Sequence, residues 1–446
     1  MARAVPLMPP TSPVPDVTFR DALWVWLKIG VLGFGGPAGQ IALMHRILVD
    51  EKRWLDEPRF LHALNYCMLL PGPEAQQLAV YSGWLLHGVR GGLAAGLLFV
   101  LPGALVIIGF ALAYARFAEL TVMQGLFVGI KAGVLALVVE AFVRIARRVL
   151  KDRFSGLLAG GAFIALFVFA VPFPFIILAA AIAGFFRRVA REPADVAAPA
   201  NPAPRSEGWW LNSLFTLTLG LGCWLTPIVG LWSALGPHHI LTQLAVFFAQ
   251  VAIITFGGAY AVLTYVAQHV VQIQGWLSPG EMLDGLGLAE TTPGPLILVL
   301  EFVGFLAAFK AHTGVNPYVM GMLGAGVVLW VTFAPCFLWI FLGAPYVERL
   351  RTNARVSAIL SSITAAVGGV ILNLSVWFAI HTLFAQTTPL TPLGIHLTVP
   401  QLASFAPVAG AITAASFVAL FVLRWGTFGT LALASALGIM SLIIVG

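Results

Sequence analysis

The residues best suited to chemistry in this sequence lie beside four breaks in otherwise apolar segments. Two breaks are Pro-Gly-Pro, at 71–73 and 293–295, and two are Gly-Gly, at 35–36 and 257–258. Proline removes a backbone donor and forces the preceding residue towards an extended conformation, so an α-helix cannot continue through Pro-Gly-Pro. A helix that starts again after a break presents free N–H groups and the positive end of its dipole. The breaks therefore predict an anion-binding site.

Polar side chains flank the two Pro-Gly-Pro breaks, and they differ between them. The first break is flanked by Asn65, Glu74, Gln76 and Gln77, and the second by Glu290, Thr291, Thr292 and Glu301. Amide and hydroxyl groups are neutral donors that suit an oxyanion. The glutamates fit an anion site if burial keeps them protonated or if they transfer protons, and they fit equally well as caps of the broken helices.

Two lysines, Lys28 and Lys131, lie within apolar segments, where ionisable groups are costly and usually face a cavity. A helix dipole contributes about 0.3–1 kcal/mol, so a dianion within a bilayer needs a cation or further donors as well. Lys28 can alternatively extend to the membrane surface. Lys131 points away from the glycine stripe at 125, 129 and 133, so it needs water, a carboxylate or a substrate. The candidate substrate-binding residues are Lys28, Gly35, Gly36, Pro37, Asn65, Pro71, Gly72, Pro73, Gln76, Gln77, Lys131, Gly257, Gly258, Glu290, Thr291, Thr292, Pro293, Gly294 and Pro295.

The elements that must position these residues are apolar helices. Of the 446 residues, 60% are hydrophobic and 9% are charged, whereas a soluble domain carries about 25% charged residues. This composition excludes a soluble enzyme, a nucleic-acid-binding protein and a disordered scaffold. The net charge of +6 comes from cations clustered between apolar runs. About 13 long, continuous apolar segments predict an all-α polytopic membrane protein rather than a β-barrel.

The chain contains an internal repeat in which every motif recurs at one constant offset. Phe34-Gly35-Gly36 recurs at 256–258, Trp54-Leu55 recurs at 276–277, and the two Pro-Gly-Pro motifs keep the same offset. Duplication of this kind is typical of transporters. The predicted domains are a cytosolic tail at 1–18, a first repeat at 19–186, a Pro-rich cytoplasmic linker at 187–208, and a second repeat with extra C-terminal helices at 209–446.

The distribution of positive charge predicts that the two repeats are inverted. Residues 37–60 carry four Lys and Arg, whereas the equivalent residues 259–282 carry none, so the two loops face opposite sides of the membrane. We expect segments 20–36 and 61–80, and the equivalent segments of the second repeat, to enter the membrane and return to the same side. With this topology, all but four of the 24 Lys and Arg become cytoplasmic or lie in the N-terminal tail. The N-terminus is then cytoplasmic.

The sequence shows no spacing suited to a metal site or a catalytic dyad. Its three cysteines, Cys67, Cys223 and Cys336, lie far apart in apolar segments, and its histidines are scattered. We therefore expect no metal, no cofactor and no enzymatic activity. A membrane-embedded enzyme and an anion channel remain as alternatives from other functional classes.

The motifs around the breaks resemble those of the chromate ion transporter (CHR) family. VLGFGGPAGQ and LLPGPEAQQ resemble the first domain of that family, and ITFGGAYAVL and ETTPGPLILVL resemble the second. The resemblance implies a long-chain, two-domain transporter with antiparallel halves in the bacterial cytoplasmic (inner) membrane. It also implies chromate efflux that confers chromate resistance, with the Gly-Gly and Pro-Gly-Pro residues as signature positions. One position departs from the expected pattern, because Glu301 stands where the resemblance leads us to expect Gln.

The membrane potential favours export of such a substrate. A dianion that leaves a cytoplasm with a negative potential gains about 4.6 kcal/mol per 100 mV, whereas import would need more than two cotransported positive charges. The alternative is an uptake or exchange carrier for sulfate or general oxyanions, because sulfate shares the charge and tetrahedral shape of chromate. The expected partners are chromate, or sulfate, and the lipid bilayer, without nucleic acid; a homodimer is left open.

Overall fold

The computed structural model describes residues 17–68, 70–150, 152–187, 209–255, 259–343, 354–390 and 397–445, and this part of the chain forms sixteen α-helices. The first eight are α1 Phe19–Leu32, α2 Gly36–His45, α3 Glu57–Cys67, α4 Glu74–Phe117, α5 Thr121–Val149, α6 Arg153–Phe167, α7 Phe173–Phe186 and α8 Trp209–Leu235. The other eight are α9 Ile240–Ile254, α10 Ala259–Ala267, α11 Pro279–Glu290, α12 Val299–Lys310, α13 Pro317–Gly343, α14 Ala354–Leu383, α15 Pro407–Phe417 and α16 Thr427–Val445. Most of the predicted tail and linker lies outside the described residues.

Helix α4 folds back on itself. The backbone of His87–Gly88 leaves the helical region, with Gly88 at a φ of +59°. The two arms, 74–86 and 89–117, then pack closely, because a Cβ on Gly83 would lie only 2.3 Å from the carbonyl oxygen of Gly91. The first arm therefore starts at a Pro-Gly-Pro break and ends where the chain turns back.

The second half repeats the order of elements of the first. Helices α2 and α10 each continue into a wider π-helical turn, at Arg46–Glu51 and Gln268–Ile273, and these two turns are related by the offset of the sequence repeat. Helices α12 and α13 correspond to the two arms of α4, with the loop 311–316 in place of the kink. They also approach closely, since a Cβ on Gly304 would lie 2.9 Å from the carbonyl oxygen of Gly324. The sequence repeat thus continues in the secondary structure.

Each half gives one long helix to the terminal helices of the other. Helix α5 packs along α15 and α16, and α14 packs along α6 and α7. Small residues allow both contacts, because Gly129 of α5 lies against Ala434, and Gly369 of α14 lies against Ala159. The two halves are therefore interlaced rather than packed as separate units.

The chain is an all-α membrane protein. Five helices of the described part, α4, α5, α8, α13 and α14, are long and apolar enough to cross a bilayer, and six shorter apolar helices accompany them. Helix α8 exposes large apolar side chains such as Phe215 and Val229, as a lipid-facing helix does. A short antiparallel hairpin of Thr387–Leu390 and Leu397–Pro400 follows α14. Two strands of four residues have too weak a sequence pattern to be recognised in advance.

We expect Gly129→Ala to destabilise the protein, because the new Cβ would lie 2.1 Å from the carbonyl oxygen of Ala434. Such overpacking costs about 1–3 kcal/mol of unfolding free energy. The matched control is Gly109→Ala on the second arm of α4, where a Cβ meets no atom within 4 Å. The measurement is the melting temperature of both purified variants in detergent, and equal melting of the two would contradict the proposed α5–α16 contact.

Candidate functional site

The Pro-Gly-Pro turn of each half is hydrogen-bonded to a helix break in the other half. The N–H of Gly72 donates to the carbonyl oxygen of Thr255 at 2.8 Å, and the N–H of Gly294 donates to that of Gly33 at 2.9 Å. The two donors, and likewise the two acceptors, are related by the offset of the sequence repeat, so the two bonds are equivalent. These crossed hydrogen bonds bring the helix breaks of both halves together at the interface between them.

Both central glycines of the turns have a backbone conformation that disfavours a side chain. Gly72 has a φ of +120° and Gly294 a φ of +91°, where residues with a Cβ are strained. The predicted helix breaks are confirmed, since α3 ends at Cys67 and α11 at Glu290. The two restarts differ, because α4 begins directly after the first turn, whereas a 3₁₀ turn at Leu296–Leu298 precedes α12.

Gln40 links the breaks of the two halves. This fully buried side chain lies on α2, and its Nε2 donates to the carbonyl oxygens of Gly33 at 3.2 Å and Gly294 at 2.5 Å. Sequence analysis overlooked this residue. The available signal was a lone amide one turn after the Gly-Gly break in an apolar helix, with Val262 at the equivalent position of the second half.

Two more glutamines are fully buried in the first turn of α4. Gln77 Nε2 donates to the carbonyl oxygen of Pro71 at 2.7 Å. Neither amide atom of Gln76 has a hydrogen-bond partner among the described residues. A buried polar group without a partner costs about 1–3 kcal/mol, and each such group in a folded protein requires an explanation. A polar ligand that meets Gln76 at this interface supplies that explanation.

The α2 glutamine and the α4 glutamines belong to one helix interface. Met44 of α2 packs beside Ala79 and Ser82 of the first arm of α4. Gln40 lies one turn before Met44 on α2, and Gln76 lies about one turn before Ala79 on α4. Both glutamines are therefore nearer to the break that precedes their own helix. The first half therefore contributes neutral amides to the region of the breaks.

The second half contributes carboxyl groups instead. Glu290 is buried and accepts a hydrogen bond from the hydroxyl of Tyr260 at 2.6 Å. Glu301 is 1% exposed, and neither of its carboxyl oxygens has a partner among the described residues. The hydroxyls of Thr291 and Thr292 both donate to the carbonyl oxygen of Leu288, at 2.8 and 2.7 Å. These threonines therefore cap the end of α11, and their donors are not free for an anion.

Two of the predicted site residues are exposed rather than buried at the interface. Lys28 lies on the exposed side of α1, without an ion pair in the described part of the chain, and Asn65 is exposed on α3. Gly257 and Gly258 lie outside the described residues. Gly35, Gly36 and Pro37 lie at the start of α2, with Gly35 at a φ of +85°. The substrate-binding roles of all these residues stay predictions.

Lys131 forms an ion pair between the two halves in which the carboxylate is buried and the lysine is partly exposed. Its Nζ lies 3.2 Å from Oδ1 of Asp284 on α11, and the hydroxyl of Tyr114 donates to Oδ2 of the same carboxylate at 2.9 Å. Asp284 is 3% exposed. Of the three partners that the sequence left open for Lys131, the structure shows a carboxylate. Sequence analysis overlooked Asp284 and Tyr114, although Asp284 is a lone acid in the apolar part of α11.

The equivalent helices α3 and α11 are covered to very different extents. Leu61 on α3 is 45% exposed, whereas its counterpart Leu283 on α11 is fully buried. Helix α11 packs against α5, where Lys131 meets Asp284, and Lys310 pairs with Glu281 at 2.5 Å in the first turn of α11. Burial of Glu281 opposes its charged form, but hydrogen bonds from Lys310 and Ser278 outweigh that effect and lower its pKa. The interface between the two halves is therefore covered by protein at α11 and is more exposed at α3.

We expect Gln76→Leu to lower anion flux, measured with chromate, about tenfold or more, because a donor to a charged ligand contributes about 1.5–3 kcal/mol. The same change should raise thermal stability, since it removes an unpartnered amide from an apolar interior. Gln77→Leu is the matched control and should lower stability, because it removes the donor to Pro71. Wild-type flux in Gln76→Leu would contradict a binding role for this side chain.

Lys131→Met should lower the free energy of unfolding by about 3 kcal/mol, because it leaves the Asp284 carboxylate buried without its cation. The double variant Lys131→Met/Asp284→Leu should recover most of that loss, since no unpaired charge remains. Thermal unfolding of the two single variants and the double variant in detergent gives the coupling energy. Additive effects of the two substitutions would show that the pair makes no net contribution.

Several known proteins are similar to this chain over most of its length. The family model described as "Chromate transporter" matches residues 20–185 and 242–440. A "Probable chromate transport protein" of Synechococcus elongatus is 28% identical over 430 residues, which cover 89% of this chain and 96% of the relative. A "Chromate transport protein" of Cupriavidus metallidurans is 30% identical, with 85% and 87% covered, and one of Pseudomonas aeruginosa is 31% identical, with 80% of both chains covered. No solved structure matches. The chain belongs to the chromate transporter family as a long-chain, two-domain member, and it is therefore a transporter and not an enzyme.

Proposed function

We propose that this chain is a secondary transporter that exports chromate across the bacterial cytoplasmic membrane and thereby confers chromate resistance. The observation that carries the proposal is the pair of crossed hydrogen bonds, Gly72 to Thr255 and Gly294 to Gly33. These bonds hold interrupted helices of both halves at one interface within an apolar protein. Irregular backbone at membrane depth is tolerated where it is buried in protein or lines a polar cavity.

The first turn of α4 supplies the groups that would bind a tetrahedral dianion. The first intrahelical bond is donated by Gln77 to Pro73, so the N–H groups of Ala75 and Gln76 have no intrahelical acceptor. The side-chain amide of Gln76 beside them has no hydrogen-bond partner among the described residues. Helix-terminal N–H groups, a helix dipole and a neutral amide together form an anion site that needs no fixed positive charge.

We further propose that the halves are inverted repeats, related by a pseudo-twofold axis in the membrane plane, with a cytoplasmic N-terminus. Equivalent crossed bonds and the repeated order of elements support a twofold relation, and the unequal charge of 37–60 and 259–282 supports the inversion. In this topology some of the roughly 13 apolar segments enter the membrane at a break and return to the same side.

The unequal burial of α3 and α11 supports alternating access. Two inverted halves have two equivalent crevices, one for each side of the membrane. In this proposal the crevice at α11 is closed by α5 and the Lys131–Asp284 pair, and the crevice at the more exposed helix α3 is the open one. Since the loop before α3 is the positively charged one, the open crevice faces the cytoplasm. This is the arrangement expected of an exporter that is ready to load its substrate.

The experiment that tests export is chromate accumulation in everted, energised membrane vesicles that contain this protein. We expect accumulation that depends on the membrane potential, because the dianion gains about 4.6 kcal/mol per 100 mV. Vesicles without the protein and vesicles whose potential has been collapsed are the controls. Absence of accumulation would contradict chromate export.

The same vesicles distinguish chromate from sulfate, which has the same charge and shape and therefore suits the same neutral donors. Accumulation that resists an excess of sulfate supports a chromate exporter. Accumulation that modest sulfate abolishes would instead support a general oxyanion carrier.

A further inference from the structure

A separate cavity of about 530 Å³ lies where helices of the second half meet the end of α6. It is lined by the end of α6, by α10 with its π-helical turn, by α14 and by the short β-hairpin, and it is partly open to the surroundings. Apolar side chains form much of its wall. Its principal polar side chains are Thr264, Gln268, Gln272, Asn373 and His381.

The cavity has donors but no fixed charge. None of the described residues that line it is Asp, Glu, Lys or Arg. A metal cation or an organic cation would lack a counter-charge there, whereas the amides of Gln268, Gln272 and Asn373 can each donate two hydrogen bonds to an anion. His381 donates through Nδ1 to the carbonyl oxygen of Trp377 at 2.9 Å, which fixes its ring. The lining therefore suits a hydrogen-bonding anion.

A polar face of α10 connects this cavity to the second helix break. Tyr260, Thr264 and Gln268 are spaced by four residues and so share one face of the helix. This face lies against α14, because the hydroxyl of Thr264 donates to the carbonyl oxygen of Val370 at 3.2 Å. At its inner end Tyr260 binds Glu290, the last residue of α11 before the break. One face of α10 therefore lines the cavity at one end and contacts the second break at the other.

The cavity lies on the side of the interface that is closed. Gln272 belongs to the π-helical turn of the loop that precedes α11, and Asn373 lies ten residues, about 15 Å, from the end of α14. The cavity therefore extends from the loop before α11 towards the membrane interior.

We propose that this cavity is a second binding site for the tetrahedral oxyanion, an outer vestibule that holds the hydrated anion between the helix breaks and the external solution. The proposal rests on the proposed function and adds a site to it. The cavity has room for a four-oxygen anion together with several water molecules. Neutral donors bind such an anion without holding it as strongly as a fixed cation would, so the anion can leave.

The test compares Gln268→Leu and Asn373→Leu with the matched control Gln274→Leu, which changes an exposed glutamine of the same segment outside the cavity. Proteoliposomes of known orientation give the half-saturating chromate concentration for exchange at each face. We expect each cavity variant to raise the half-saturating chromate concentration at the external face about tenfold, equivalent to about 1.4 kcal/mol. The half-saturating concentration at the internal face should stay unchanged. If the cavity variants have the same external half-saturating concentration as Gln274→Leu, the proposal is overturned.

A second measurement does not depend on transport. In a Cys223→Ser background, which removes the exposed cysteine, Gln272→Cys is labelled from outside with a membrane-impermeant maleimide. Sulfate and molybdate serve as probes because chromate oxidises thiols. We expect either anion to slow labelling at least threefold relative to gluconate at equal ionic strength, and Asn373→Leu to remove that protection. Absence of protection by both anions would overturn the vestibule.

The two proposals fail in distinguishable ways. Wild-type protein that carries no chromate overturns the proposed function. Wild-type protein that carries chromate, with cavity variants that behave like Gln274→Leu, overturns the vestibule alone.

Discussion

The structure depends on one constraint, which is that backbone groups freed by a helix break inside a membrane must find partners within the protein. Gly72 and Gly294 meet this constraint across the molecule, each donating to a carbonyl oxygen at a break of the opposite half. In hydrocarbon an unsatisfied backbone group costs several kcal/mol. Each set of breaks therefore depends on the opposite half for one of its main-chain hydrogen bonds. The interface that this produces is also where the buried amides and carboxyls lie.

The interlaced helices restrict how the two halves can move relative to each other. Helix α5 is packed against the terminal helices of the second half, and α14 against those of the first, so the halves cannot simply separate. Movement that opens α11 must break the contact of Lys131 with Asp284 and release Tyr114. Because opening exposes both charges to water as it separates them, the pair stabilises the closed side only by the difference between their attraction and that hydration.

Local chemistry predicted the breaks, the repeat and the membrane class. Proline and glycine act on their own backbone, so the interruptions at Pro71 and Pro293 follow from sequence alone. The need of Lys131 for a partner was also predicted, but Asp284 was not, because the two residues lie in opposite halves of the chain. For the same reason, neither the packing of α5 and α14 against the opposite half nor the two hydrogen bonds of Gln40 could be predicted. These features depend on which distant segments become neighbours, and no periodicity encodes that.

The crossed hydrogen bonds are made entirely of main-chain atoms, and this has a consequence for how the two halves evolve. A junction between backbone groups constrains only the conformation at the two glycines, and it leaves neighbouring side chains free to change. Duplicated halves can therefore diverge in chemistry while the symmetric joint between them persists. Val262 stands at the position equivalent to Gln40, and Leu298 at the position equivalent to Gln76, so the halves differ in chemistry at these sites. The first half carries buried amides beside its breaks, and the second half carries buried carboxyl groups.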